Sequence, residues 1–117
     1  MTENATLIPL DDRTQSRIGL STEEPAAFCR KNGITSMALF GSVLRVDFGS
    51  DSDVDFLVTF SPIAYQGLLA QIGMKFDLEE PVHRSVDLVV RQSVEQSENW
   101  IRREAILSTA QIIYDER

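Results

Sequence analysis

Two carboxylates a residue apart, Asp53 and Asp55, open a stretch in which Val54, Phe56, Val58 and Phe60 take every second position. Period-2 alternation of β-branched and aromatic residues is the mark of a strand. In a strand, residues i and i+2 share a face and lie about 6.6 Å apart along the chain, so the two acids can converge on one spot. Their like charges repel, which raises the proton affinity of one of them or invites a divalent cation between them. Magnesium is the natural candidate, because it takes hard oxygen ligands and commonly binds one or two carboxylates plus substrate phosphates.

A phosphate-binding corner precedes this strand. The apolar run from Ile34 to Phe40 reads as another strand, and Gly41-Ser42 follows directly, with ten residues separating Ser42 from Asp53. Glycine lets the backbone approach a ligand closely, while the next amides and the Ser42 hydroxyl can donate to phosphate oxygens. Arg45, inside the same loop, is placed to reach a triphosphate or a partner, or to be a solvated surface charge. Asp87 supplies a third acid, set in the β-branched run Val86 to Val90. If that strand lies beside the Asp53–Asp55 strand, three carboxylates meet, enough for two metal ions and an in-line displacement at phosphorus. Alone, a Gly-Ser pair is a turn and an Asp-x-Asp is a solvated strand end; the joint spacing is what argues for chemistry.

Gly-Ser, ten residues, Asp-x-Asp and a later strand aspartate together resemble the nucleotidyltransferase superfamily that includes DNA polymerase beta, and within it the minimal nucleotidyltransferase (MNT) proteins. The resemblance runs from about Ser21 to Tyr114 and includes Asp51-Ser52-Asp53 and the ending Trp100-Ile101-Arg102-Arg103-Glu104-Ala105-Ile106-Leu107. Members often carry a basic residue where this chain has Val43 and a glycine where it has Val46. The resemblance implies Asp53 and Asp55 as ligands of both magnesium ions, Asp87 as ligand of the second and acceptor of a proton, and Gly41, Ser42 and Arg45 on the triphosphate of ATP. It also implies an antitoxin that transfers AMP from ATP to a tyrosine of a HEPN-domain ribonuclease toxin. The alternatives are an antitoxin that masks the toxin by binding alone, and a small-molecule (antibiotic) nucleotidyltransferase.

Composition narrows the partners. Eleven Lys plus Arg against eighteen Asp plus Glu give a net charge of −7, which disfavours a nucleic-acid phosphate backbone. A nucleoside triphosphate remains acceptable, since bound metal ions reverse the local field. The single cysteine, Cys29, forms no internal disulfide and reads as a small buried filler in a reducing compartment. No basic start with an apolar core and no apolar run of about 20 residues is visible, so a cytoplasmic protein off the membrane is expected. At 117 residues one domain is expected, too short for a second that would bind a small acceptor.

The elements that must position these acids follow from pattern and punctuation. Residues 1–20 are polar and aperiodic, contain the turn-like Asp11-Asp12, and are expected to form a mobile extension to a domain spanning 21–117. A helix is expected over 23–32, with Ser21 or Thr22 as N-cap and Gly33 past its end. Further helices are expected over 63–78, with Pro81 closing the region, and over 94–108; strands are expected over 34–40, 85–91 and 111–114. Alternating strands and helices imply an α/β domain, a small mixed β-sheet flanked by helices, with the site at one sheet edge. His83 reads as a surface loop residue, Trp100 and Tyr114 as core, and Phe48 as an exposed aromatic able to stack on a base or touch a partner.

Overall fold

The helix that precedes the site strands starts on a reciprocal cap. Ser21 N donates to Glu24 Oε1 (2.7 Å) and Glu24 N donates to Ser21 Oγ (3.2 Å), which satisfies amide donors that a helix start leaves free. It ends at Gly33, whose left-handed backbone (φ 69°) lets its N–H reach Cys29 O. A computed structural model describes residues 5–7, 16–21, 23–45, 48–49, 51–64 and 67–116 of the chain. In order the elements are β1 (Ala5–Leu7), α1 (Glu24–Asn32), β2 (Ile34–Phe40), a 3-10 turn (Gly41–Leu44), β3 (Val54–Phe60), α2 (Leu68–Val82), β4 (Val86–Val90), α3 (Arg91–Glu95), α4 (Trp100–Thr109) and β5 (Gln111–Glu116).

The strands form one mixed sheet in the order β1-β5-β2-β3-β4. Only β3 and β4 run parallel; the other neighbours are antiparallel. That parallel pair is bridged by α2, as a parallel connection requires. Both sheet faces are covered. Val54, Phe56, Val58 and Phe60 of β3 pack with Ala26 and Cys29 of α1 and with Met74, Leu78 and Val82 of α2. Ala38, Phe40 and Leu57 pack on the other face with Val94 of α3 and Ile106 of α4. Because β3 alternates, Asp55 shares the face of Leu57 and looks toward α3 and α4 rather than into the larger core.

Several expected elements are redrawn. The helix expected over 63–78 begins only at Leu68 and continues to Val82, with Pro81 inside its last turn instead of beyond it. A last-turn proline is tolerated here because the cap is made past it: His83, in the left-handed region (φ 59°), donates its N–H to Glu79 O at 2.9 Å. His83 is exposed, as expected of a surface residue. The single helix expected over 94–108 is two, α3 and α4. Asn99 starts the second by accepting from Arg102 N (3.2 Å), and Arg103 Nη1 holds Ser97 O at 2.6 Å across the break. Trp100, expected in the core, is 62% exposed, whereas Tyr114 is fully buried and donates its hydroxyl to Glu116. Cys29 is buried, and desolvation, with Glu116 adding repulsion, pushes its thiol up to about 12, which fits an inert filler. No helix among the described residues is long and apolar enough to cross a membrane.

The expected mobile extension also needs correction where it is described. Residues 1–4 and 8–15, with the Asp11-Asp12 turn, lie outside the described residues, as do Thr22 and Val46. Ala5–Leu7 pairs with β5 as the edge strand, and Ile18 and Leu20 are 1% and 3% exposed within the larger core. Their burial is a tertiary effect, since two apolar residues in a polar stretch make no periodic face. Ile18→Ala should therefore destabilise the protein by about 2–4 kcal/mol, through lost apolar burial and the cavity left behind. Chemical denaturation read by circular dichroism checks this; a change within about 0.5 kcal/mol, the range of a surface substitution, would show that the segment does not pack.

Candidate active site

β3 and β4 bring the acids together by register. Asp55 stands directly beside Asp87 on the adjacent parallel strand, and Phe40, the last residue of β2, pairs with Asp55 on its other side. Asp53 lies just before β3 and is exposed, like Asp87, while Asp55 is half-buried. Burial, followed by repulsion from Asp87 and Asp53, pushes the Asp55 carboxyl up from 3.8 to about 6; Arg45 and Arg102 pull the other way.

The Gly-Ser corner closes over this carboxylate. Gly41 has φ 80°, a conformation that glycine adopts without steric cost, and a β-carbon built on it would fall on the Asp55 carboxylate. Glycine is thus needed here twice, for backbone shape and for room. Ser42 follows in the 3-10 turn, half-exposed, and Val43 is buried beneath it. Beside the turn opens a cleft of about 570 Å³, walled by Gly41, Leu44 and Arg45 on one side and by Ala105, Ile106 and Thr109 of α4 on the other.

Residues without any motif hold the loop ends in place. Arg17 Nη1 donates to Val43 O (2.8 Å) and Arg45 O (2.6 Å), pinning the end of the turn from the segment that was expected to be mobile. Arg84 Nη1 donates to Gly49 O (2.8 Å) and Ser52 O (3.1 Å), fixing the approach to Asp53. Phe48 is not the exposed aromatic expected from its polar loop. It is half-buried against the larger core, with the Arg84 guanidinium 4.3 Å and that of Arg17 5.0 Å from its ring centre. Neither Arg17 nor Arg84 was singled out by type or spacing, whereas Arg102, which acts on Asp55, lies in the Trp100–Leu107 segment that carries the resemblance.

The donor set suits magnesium. Asp55 and Asp87 offer hard oxygens whose mutual repulsion a cation would relieve, but the expected meeting of three carboxylates is not found: among the described residues no group of three His, Cys, Asp or Glu side chains is placed to hold a metal ion, and a pair remains. That is the arrangement expected for an ion which keeps part of its shell for water and substrate phosphates. A glycine corner over paired carboxylates is an arrangement that would suit a phosphorylated ligand together with a cation.

The fold agrees with comparisons to known proteins. The family model of the nucleotidyltransferase domain matches residues 25–113, and the chain belongs to that family. The Methanocaldococcus jannaschii protein "Putative protein adenylyltransferase MJ0435" is 33% identical over 64 residues, which make up 55% of this chain and 67% of that protein. Among solved structures, one named "putative minimal nucleotidyltransferase" is 31% identical and superposes with a TM-score of 0.59 over 75% of this chain and 84% of its own. The crystal structure of a toxin–antitoxin with AMP-PNP superposes with a TM-score of 0.64 at 17% identity, over 84% of this chain and 76% of the other. The complex of the tri-AMPylated Shewanella oneidensis HEPN toxin with its MNT antitoxin superposes with a TM-score of 0.57 at 16% identity, over 87% and 72%. At such identities the last two share the nucleotidyltransferase fold with this chain.

Proposed function

We propose that this protein is an antitoxin-type adenylyltransferase that transfers AMP from ATP to a tyrosine hydroxyl of a HEPN-domain ribonuclease toxin and so silences it. The observation that carries the reading is the stack of Gly41 on Asp55 with Asp87 in register beside it, a phosphate corner directly over paired carboxylates. The adenylyltransferase relative and the toxin complexes of the same fold point to the same acceptor class. A protein partner would cover apolar side chains exposed on α2 (Leu68, Leu69 and Phe76) and at the start of α4 (Trp100, Ile101).

The acceptor oxygen attacks the α-phosphorus of ATP, the bond to the β-phosphate oxygen breaks, and pyrophosphate leaves. Asp87, exposed beside Asp55, takes the hydroxyl proton. Asp53, Asp55 and Asp87 would hold magnesium, two ions in the full assembly, and the metal would supply neutralisation of the charge that develops as the bond to pyrophosphate breaks. The Gly41 and Ser42 amides, the Ser42 hydroxyl and Arg45 hold the triphosphate in line. ATP and a ribonuclease acting on cellular RNA meet in the cytoplasm, where this reaction belongs.

Incubating the protein with ATP, magnesium and a purified HEPN-domain ribonuclease, sought first in the neighbouring reading frame, tests the proposal. The partner should gain the mass of one AMP or a small multiple, and should stay inactive as a ribonuclease after the two are separated. A partner that recovers full activity with unchanged mass would overturn transfer and leave masking by binding alone.

A further inference from the structure

We propose that Arg102 of α4 binds the polyphosphate of the nucleotide, closing from the helix side the cleft whose opposite wall is the Gly41–Leu44 turn. The inference rests on the nucleotidyl-transfer reading of the site and extends it to a residue outside the Gly-Ser and Asp-x-Asp motif. A triphosphate brings several negative charges to a place that already holds Asp53, Asp55 and Asp87, so cations besides metal are needed around it. The turn has none to offer. Its four residues are Gly41, Ser42, Val43 and Leu44, and Val43 is fully buried.

Among the described residues, the guanidinium groups of Arg45 and Arg102 stand near enough to act on the Asp55 carboxylate. Arg45 follows the turn and lines the cleft directly. Arg102 arrives by helix geometry: the cleft wall is made by Ala105, Ile106 and Thr109, and Arg102 precedes them by three, four and seven residues, hence lies on the same face one turn toward the helix start. Asn99 fixes that first turn by accepting the Arg102 backbone N–H at 3.2 Å. The Arg102 side chain is exposed, and among the described residues it makes no hydrogen bond or close ion pair. A planar guanidinium presented this way suits phosphate oxygens, which it can bind through two parallel N–H groups. The cleft is then flanked by one arginine from each wall, with the carboxylates at its end.

Calorimetric titration of ATP and, separately, AMP into the protein in magnesium tests the assignment without any partner protein. Arg102→Ala should weaken ATP binding by about 10-fold or more while changing AMP affinity by less than about 3-fold, since losing one charge-assisted contact is felt where the extra phosphates are. Arg102→Lys should recover part of the loss, keeping charge without the fork. Equal losses for ATP and AMP, or wild-type affinity for ATP in a folded Arg102→Ala protein, would overturn the assignment of Arg102 while leaving nucleotidyl transfer standing. A wild-type protein that binds neither nucleotide would overturn both.

Discussion

Asp55→Asn should abolish AMP transfer while making the metal-free protein more stable at neutral pH. The first effect follows from its place: Asp55 lies between Asp87 and the last residue of β2, directly under Gly41, so no other carboxylate can stand in for it. Loss of one preorganised electrostatic group at a site of developing charge costs about 10²–10³-fold in rate, and a residue proposed to ligate metal as well should cost at least that. The second effect follows from repulsion. Desolvation, with Asp87 and Asp53 adding their charges, raises the carboxyl to about 6 from 3.8. The folded value lies above the unfolded one, so the proton binds the folded state more tightly. The associated stability is complete below about pH 4 and is lost as pH rises through about 6. A shift of about two units corresponds to about 3 kcal/mol at most, and solvent screening of this half-exposed group brings the expected effect to about 1–2 kcal/mol. In chelator, the wild type should lose stability between pH 4 and 6 more steeply than Asp55→Asn, and the variant should melt higher at pH 7. Parallel pH profiles would show that Asp55 is not under this repulsion, and wild-type transfer by the variant would remove it from the chemistry.

β3 was legible because a strand with one apolar face writes its period into the sequence, and Val54, Phe56, Val58 and Phe60 are all at most 4% exposed. The same alternation predicts that Asp53 and Asp55 share a face, and β-branched residues marked Val86–Val90 as a strand, but its place beside β3 was a condition that only the folded chain supplies. Helix boundaries were less legible for an identifiable reason. Ile63, Leu68 and Leu69 look like core residues, yet they are 95%, 73% and 85% exposed, so apolar character there marks an open surface instead of a buried stripe. The break between α3 and α4 was hidden because Val94, Trp100, Ile101 and Ile106 continue an apolar series across it, while the decisive signal is a single capping asparagine, Asn99.

The supports of the site were legible least of all. Arg17 reaches the carbonyls of Val43 and Arg45 across 26 and 28 positions of chain, and Arg84 reaches Gly49 across 35. A guanidinium that buttresses a loop leaves no local period or spacing, because its partners are backbone carbonyls that every residue owns. The candidate site residues therefore stood out by type and spacing, whereas those that hold them in place became visible only once the chain was folded.

Gly41→Ala should be among the most damaging single substitutions in the chain, although it adds only one methyl group. Two costs coincide at this position. The backbone has φ 80°, where an L side chain clashes with its own peptide units, and the added carbon would occupy the space of the Asp55 carboxylate. A strained backbone of this kind costs about 1–3 kcal/mol. Relief can come only if the turn swings away from β3 or the Asp55 side chain leaves its rotamer, and either movement separates the phosphate corner from the carboxylate it covers. The expected outcome is a fall in stability of about 1–3 kcal/mol together with a loss of transfer of at least about 10²-fold, since displacing reactive groups by about 1 Å already costs that much. Asp55→Gly supplies the control, because removing the carboxylate frees the space while leaving the strain. In the double variant Gly41→Ala with Asp55→Gly, the stability cost of the alanine should shrink to its backbone part. Denaturation of the four proteins of this cycle measures the coupling. An alanine cost that is the same with and without the carboxylate would show that Gly41 and Asp55 are not in contact, and would remove the phosphate corner from above the acids.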